Sequence, residues 1–205
     1  DDLALRLRLI RNHAEAVVGD MGIENIDNML GYNYRMTELE AAVAYEQLQK
    51  MERLNAERRQ LAEHLTRRLQ GMPGLVPPQV RAGCEHVYYL FPILYKEDEV
   101  GVSRSRFVEA LIAEGIPFYA RAAGYVKPYY LEPMFTRRTV YANGSPFDTY
   151  EGEVDYSPGI CPVTERLYNS EMIMNTYCYP PLTTADMDDI ADAFEKVLAN
   201  VDKLK

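Results

Sequence analysis

The chain's 205 residues carry 31 acidic against 22 basic side chains, a net charge of −9, with 47% hydrophobic residues. That is enough apolar material for the core of one domain or one and a half. The scattered Lys and Arg form none of the clustered basic surface that nucleic acid requires, and no apolar run nears the ~20 residues that span a bilayer.

Leu3 to Ile10 alternates apolar residues with Arg, and its Asp1-Asp2 start and Leu/Ala/Arg content predict a helix ending near Asn12. The acidic, helical start is unlike a signal peptide. Residues 14–34, with Gly19, Gly22 and Gly31, read as a loop. An irregular stretch of about 20 residues inside a compact domain usually serves a function. Thr37 to Gln70 predicts one long helix: Leu39, Val43, Leu54, Leu61 and Leu65 keep helical spacing, and Gly71 and Pro73 end it. At about 50 Å it is too long for a small domain to cover, so part of it is expected to pack on something outside this chain.

His86 to Tyr95 reads as a strand, with Pro92 marking an edge or a bulge. Ser103 caps a helix over Arg104–Glu114 that Gly115 stops. Ile116 to Ala120 is a second expected strand, and residues 122–160 a long loop or lid. Pro162 opens a short helix to about Ser170. Met172 to Tyr179 is a third strand, broken by Pro180-Pro181, and Thr183 or Thr184 caps a last helix through about Val201. Short β–α–β spacings after one long helix predict an α+β layer with a small, mostly antiparallel sheet. The expected division is residues 1–72 and 73–205.

The three cysteines, Cys84, Cys161 and Cys178, include no CxxC and cannot pair completely, so reduced, mostly buried thiols in a cytoplasmic protein are expected. No histidine pair has metal-ligand spacing, and no metal is expected. His64 reads as a solvated face residue and His86 as structural. The chain holds 16 tyrosines and no tryptophan. Their flat bodies and polar tips suit strand surfaces, interfaces or a sugar site.

The most informative stretch is Gly31-Tyr32-Asn33-Tyr34-Arg35-Met36-Thr37-Glu38-Leu39-Glu40. It offers an amide and a guanidinium, then enters the long helix through a capping box of Thr37 and Glu40. Fixed donors at a helix N-terminus suit an anion such as phosphate. The wording of this stretch, with Gln47-Leu48 and Asn55-x-x-Arg58-Arg59 beyond it, resembles the DegT/DnrJ/EryC1/StrS family of pyridoxal-phosphate sugar aminotransferases. Asp1 to His13 looks like the segment after that family's cofactor lysine. Cys161 to Leu198 looks like its closing strand and helix.

The resemblance implies the long helix and small C-terminal α+β domain of a fold-type-I aminotransferase. It implies pyridoxal 5'-phosphate as cofactor and a homodimer. It also implies a nucleotide-linked keto-sugar as acceptor and glutamate as the usual amino donor. Asn33 would reach the cofactor phosphate of the other subunit, with Arg35 supporting the contact or the loop. His13, in R-N-H, would sit near the cofactor entrance, although Ala14 stands where the family commonly has glycine. Pro128 to Phe135 resembles a P-L-H-L-Q-P-x-Y stretch near the substrate. Tyr130 there takes a position often held by histidine, so no acid/base role is carried over to it. Arg121, Tyr125 and Lys127 could contact a nucleotide diphosphate. Lys50, Lys96 and Lys127 do not match the family's Schiff-base lysine, so this chain alone is expected to be inactive. Two alternatives remain open from sequence: a sugar dehydratase of the same fold, and a stand-alone interaction module built around the long helix.

Overall fold

The computed structural model describes residues 2–14, 30–116, 127–141 and 147–205. The chain divides into two compact units, Asp1–Glu52 and Arg53–Lys205, and the boundary falls inside one helix. In the first unit, helix α1 (Asp2–Arg11) has Asp2 in its first turn and Arg8 and Arg11 in its last, as the helix dipole favours. Helix α2 (Glu38–Leu69) begins in this unit and continues into the second. Its expected start and stop hold to within a residue, because the Thr37 cap and Gly71, at φ +87°, bracket it.

The second unit is built on a three-stranded sheet of β1 (Leu75–Val76), β2 (Phe91–Tyr95) and β3 (Met172–Asn175), in that order and antiparallel. Leu75 pairs with Tyr95, and Phe91 with Asn175. Phe91, Ile93 and Tyr95 point into the core while Leu94 stays exposed. Helices α3 (Glu97–Val100), α4 (Arg104–Ala113) and α7 (Thr184–Ala199) supply Val100, Phe107, Leu111, Ile190 and Phe194 to the same core. Leu61, Leu65 and Leu69 of α2 complete it. Pro92 lies in the central strand, but β1 reaches only Leu94 and Tyr95, so β2 has no β1 partner at Pro92.

Three expectations are corrected. The strand read from His86 starts only at Phe91, because the Tyr88 N–H is taken by His86 Nδ1 at 2.8 Å and Tyr88 sits at φ +48°. The strand read to Tyr179 ends at Asn175, whose Oδ1 accepts the Tyr177 N–H at 3.0 Å. In both, a side chain offers the backbone an alternative to the ladder. Cys84 and Cys161 are exposed, and only Cys178 is buried, where desolvation pushes its thiol up to about 12. The short β1 was not foreseen. Of the strand expected at Ile116–Ala120, residues 117–120 lie outside the described residues.

The caps of the second unit follow from sequence. Ser103 accepts the Arg106 N–H, and Thr183 forms a full capping box with Asp186, whose carboxylate accepts the Thr183 N–H at 2.7 Å. α6 (Pro162–Arg166) runs into a π-helical turn, Leu167–Glu171. Buried Arg104 donates to the carbonyls of Leu167, Tyr168, Asn169 and Met172 around that turn. A helix end leaves its last carbonyls without partners. Here one guanidinium, 3% exposed, satisfies them. Arg68 on α2 likewise binds Asp188, Asp192 and Glu195 on α7, and His64 meets Asp188 at 2.8 Å. His64 is thus half-buried and paired with Asp188.

Candidate functional site

Within the first unit, the chain leaving α1 and the chain entering α2 are laced together by backbone bonds. The His13 N–H donates to the Tyr32 carbonyl at 3.0 Å, the Tyr32 N–H to Ile10 at 2.7 Å and the Tyr34 N–H to Arg11 at 3.0 Å, with an isolated antiparallel bridge between Asn12 and Asn33. Gly31 is where the two backbones touch: a Cβ there would lie 2.0 Å from the His13 carbonyl carbon. No other residue fits without moving one strand of the lacing.

This lacing gathers three of the residues singled out from sequence. Arg35 Nε donates to Asn33 Oδ1 at 3.1 Å, and Arg35 Nη2 lies 3.3 Å from His13 Nε2. The guanidinium takes the Asn33 oxygen and leaves the Asn33 amide N–H groups as donors. All three side chains are exposed. His13 and Ala14 sit at φ +60° and +57°, the left-handed region that favours glycine. A glycine at position 14 would take this turn without strain, and Ala14 holds it under strain.

The helix start is partly capped. Glu40 Oε2 accepts the Thr37 N–H at 2.8 Å and Thr37 Oγ1 accepts the Glu40 N–H at 3.3 Å. The Thr37 N–H first, and then the Thr37 hydroxyl, which donates to the same oxygen at 3.0 Å, hold the Glu40 carboxyl below its ordinary value. The Asn33 amide and the rest of the Arg35 fork are side-chain donors that the cap does not use, whereas the Thr37 and Glu40 amides are taken. This donor set fits a phosphate: an amide and a guanidinium both donate to its oxygens, and the nearby Glu40 carboxylate is committed to the cap.

Lys96, Lys127 and Tyr130 are in the second unit. Lys127 Nζ lies 3.9 Å from Glu132. The Tyr130 hydroxyl donates to Glu165, which also accepts the Gly159 N–H at 2.7 Å. Desolvation and then the Glu165 carboxylate push the Tyr130 phenol up to about 12, and the same bond holds Glu165 below its ordinary value. Tyr130 is therefore a hydrogen-bond donor held on Glu165, at a sequence distance no local pattern signals. Tyr125 and Arg121 lie outside the described residues. Lys96 pairs with Glu99, and Lys50 is exposed on α2. Among the described residues no group of three or more His, Cys, Asp or Glu could hold a metal ion, and no helix is long and apolar enough to cross a membrane.

A long helix followed by a small antiparallel α+β layer is an arrangement found in fold-type-I pyridoxal-phosphate aminotransferases. Residues 1–195 match the sequence profile of the DegT/DnrJ/EryC1/StrS aminotransferase family, and the chain belongs to that family. Its aminotransferases depend on pyridoxal 5'-phosphate. A Streptoalloteichus tenebrarius protein provisionally named L-glutamine:3-amino-2,3-dideoxy-scyllo-inosose aminotransferase is 33% identical over 187 residues, covering 86% of this chain and 42% of that one. The crystal structure of a DegT DnrJ EryC1 StrS aminotransferase from Brucella abortus superposes with a TM-score of 0.66 at 26% identity, over 95% of this chain and 43% of that one. The aminotransferase from Psychrobacter cryohalolentis gives 0.69 at 20% identity, over 98% and 50%. The chain thus spans half or less of the length of these relatives.

Proposed function

We propose that this chain is the C-terminal portion of a cytoplasmic, homodimeric aminotransferase that moves an amino group from an amino acid to a nucleotide-linked keto-sugar. The observation that carries the reading is the Asn33–Arg35–His13 cluster, held by the backbone lacing around Gly31. Asn33 would donate its amide N–H groups to the cofactor phosphate of the partner subunit. Arg35 would fix the Asn33 rotamer by binding its oxygen, and His13 would brace the guanidinium from the far side. Bound pyridoxal phosphate supplies the amino-group carrier and electron sink of the reaction. The lysine that holds it would come from sequence outside this chain, so residues 1–205 alone should not transaminate. Tyr130, Lys127 and, outside the described residues, Tyr125 would contact the acceptor, as the family resemblance implies.

The test uses the full-length protein. Asn33→Ala should weaken pyridoxal-phosphate binding about tenfold or more, as expected for a lost charge-assisted bond. Arg35→Lys, which cannot repeat the fork geometry, should do so less. Amino transfer from glutamate and from glutamine, assayed side by side, identifies the donor. Failure of the full-length protein to transfer from either would refute the reading.

A further inference from the structure

Taking a guanidinium out of water is costly unless it is paired and hydrogen-bonded. The described arginines that are half-buried or buried are Arg58, Arg59, Arg68 and Arg104. Arg59 pairs with Glu85 at 3.2 Å, Arg68 with Asp188, Asp192 and Glu195, and Arg104 with the carbonyls around the π-helical turn. Even the exposed Arg138, just past α5 (Pro133–Thr136), donates to the Val154 carbonyl at 2.9 Å. Arg58 differs. It makes no hydrogen bond or ion pair with any described residue, and its Nε is shut off from solvent.

Arg58 stands on the apolar stripe of α2, between Leu54 and Leu61, and its charge acts on the buried Cys178 thiol. A second open donor lies three residues before Cys178. Asn175, fully buried at the end of β3, gives its Oδ1 to the Tyr177 N–H and keeps a buried Nδ2 without a partner. Buried donors in folded proteins are nearly always satisfied. The acids nearby are placed for other work. Glu57 pairs with Arg53 at 2.6 Å and Glu85 with Arg59. Glu63 is exposed, acts on Tyr88 and makes no ion pair with a described residue.

The acceptor for Arg58 has to bring negative charge. Arg104 meets that need with carbonyls at a helix end, where the dipole is negative, but Arg58 stands in the middle of α2. A carboxylate brings the charge, and its two oxygens match the planar fork. The acceptor also has to come with a surface. The stripe that holds Arg58 continues toward the helix start through Met51 and Leu48, 43% and 62% exposed. A free anion would cover the guanidinium and leave those side chains in water. A folded surface bearing an acidic side chain covers both.

We infer that an aspartate or glutamate from the part of the protein outside residues 1–205 pairs with Arg58, as the charged anchor of a surface that also covers Met51 and Leu48. The inference rests on reading this chain as a portion of a longer protein. It adds where the rest of that protein is held and by what chemistry.

The experiment is a crystal structure of the full-length protein, with urea unfolding of the same preparation. A carboxylate oxygen of a residue outside 1–205 should lie within about 4 Å of the Arg58 guanidinium. Arg58→Met should raise the unfolding equilibrium constant about tenfold or more, because it leaves that carboxylate unpaired. Replacing the carboxylate by its amide should do the same, and the two changes together should cost clearly less than their sum. Arg58→Lys, which keeps the charge without the fork, should lose less than Arg58→Met. A water, a free anion or a carboxylate of residues 1–205 at Arg58 overturns the inference, and so do additive effects in the double variant. Amino transfer is assayed alongside. The ion pair without transfer keeps this inference and removes the aminotransferase. Transfer with Arg58 unpaired keeps the aminotransferase and removes this inference.

Discussion

The two halves of α2 share one sequence style and have opposite fates. Toward its start, Leu39, Val43 and Leu48 are 81%, 64% and 62% exposed, whereas Leu61, Ala62, Leu65 and Leu69 near its end are 5% exposed or less. Helical spacing and propensity are alike in both, so neither sets the difference. What differs is contact: the later half packs into the core with β2, α4 and α7, while the earlier half is held by its cap and its own backbone. Amphipathic spacing shows where a helix offers apolar surface and leaves open what takes it. If a partner surface covers the early half, the contrast should disappear in the full-length protein.

Truncation in the buried half should have the largest effect. Leu65→Ala and Phe194→Ala, both fully buried, should each cost about 3–5 kcal/mol in urea unfolding of this chain. Arg104→Met comes next, at about 2–3 kcal/mol, because several carbonyls around the π-helical turn lose their donor. Thr183→Ala should cost about 1 kcal/mol through its lost cap. Val43→Ala should change the stability of this chain by less than about 0.5 kcal/mol. The same change in the full-length protein should cost about 1 kcal/mol or more if that face is covered there. Equal, small effects in both settings would break the comparison.

The caps also predict a pH dependence. Glu40 and Asp186 are held below their ordinary values, chiefly by the backbone N–H groups of Thr37 and Thr183. A carboxyl lowered in the folded state binds fewer protons there than in the unfolded chain. Its contribution is therefore complete above the ordinary carboxylate range and is lost as pH falls through the folded value. Stability should fall as the pH drops below about 4, and Asp186→Asn should flatten that fall. A wild-type and an Asp186→Asn acid profile of equal slope would remove Asp186 from the account.

Much of this was legible from sequence where the cause is local. The Thr37 and Thr183 caps, the Gly115 stop and the ends of α2 all depend on residues within a turn of one another. The boundaries that failed, at His86–Tyr88 and after Asn175, were decided by side-chain bonds to nearby backbone, which apolar spacing does not register. Arg104, Tyr130 and Arg138 were out of reach for another reason. Their partners lie 63–68, 35 and 16 residues away, and only the fold brings them together. The Asn33–Arg35 pair was found through the wording of its motif. The role of Gly31 as the contact between two backbones needed coordinates.

The most direct test of the central claim is the dissociation constant of pyridoxal 5'-phosphate from the full-length protein, compared with Asn33→Ala by fluorescence titration. The account predicts about tenfold weaker binding in the variant, with the melting temperature of the cofactor-free protein unchanged. Equal affinity in the two proteins would show that Asn33 does not hold the phosphate and would contradict the site as drawn.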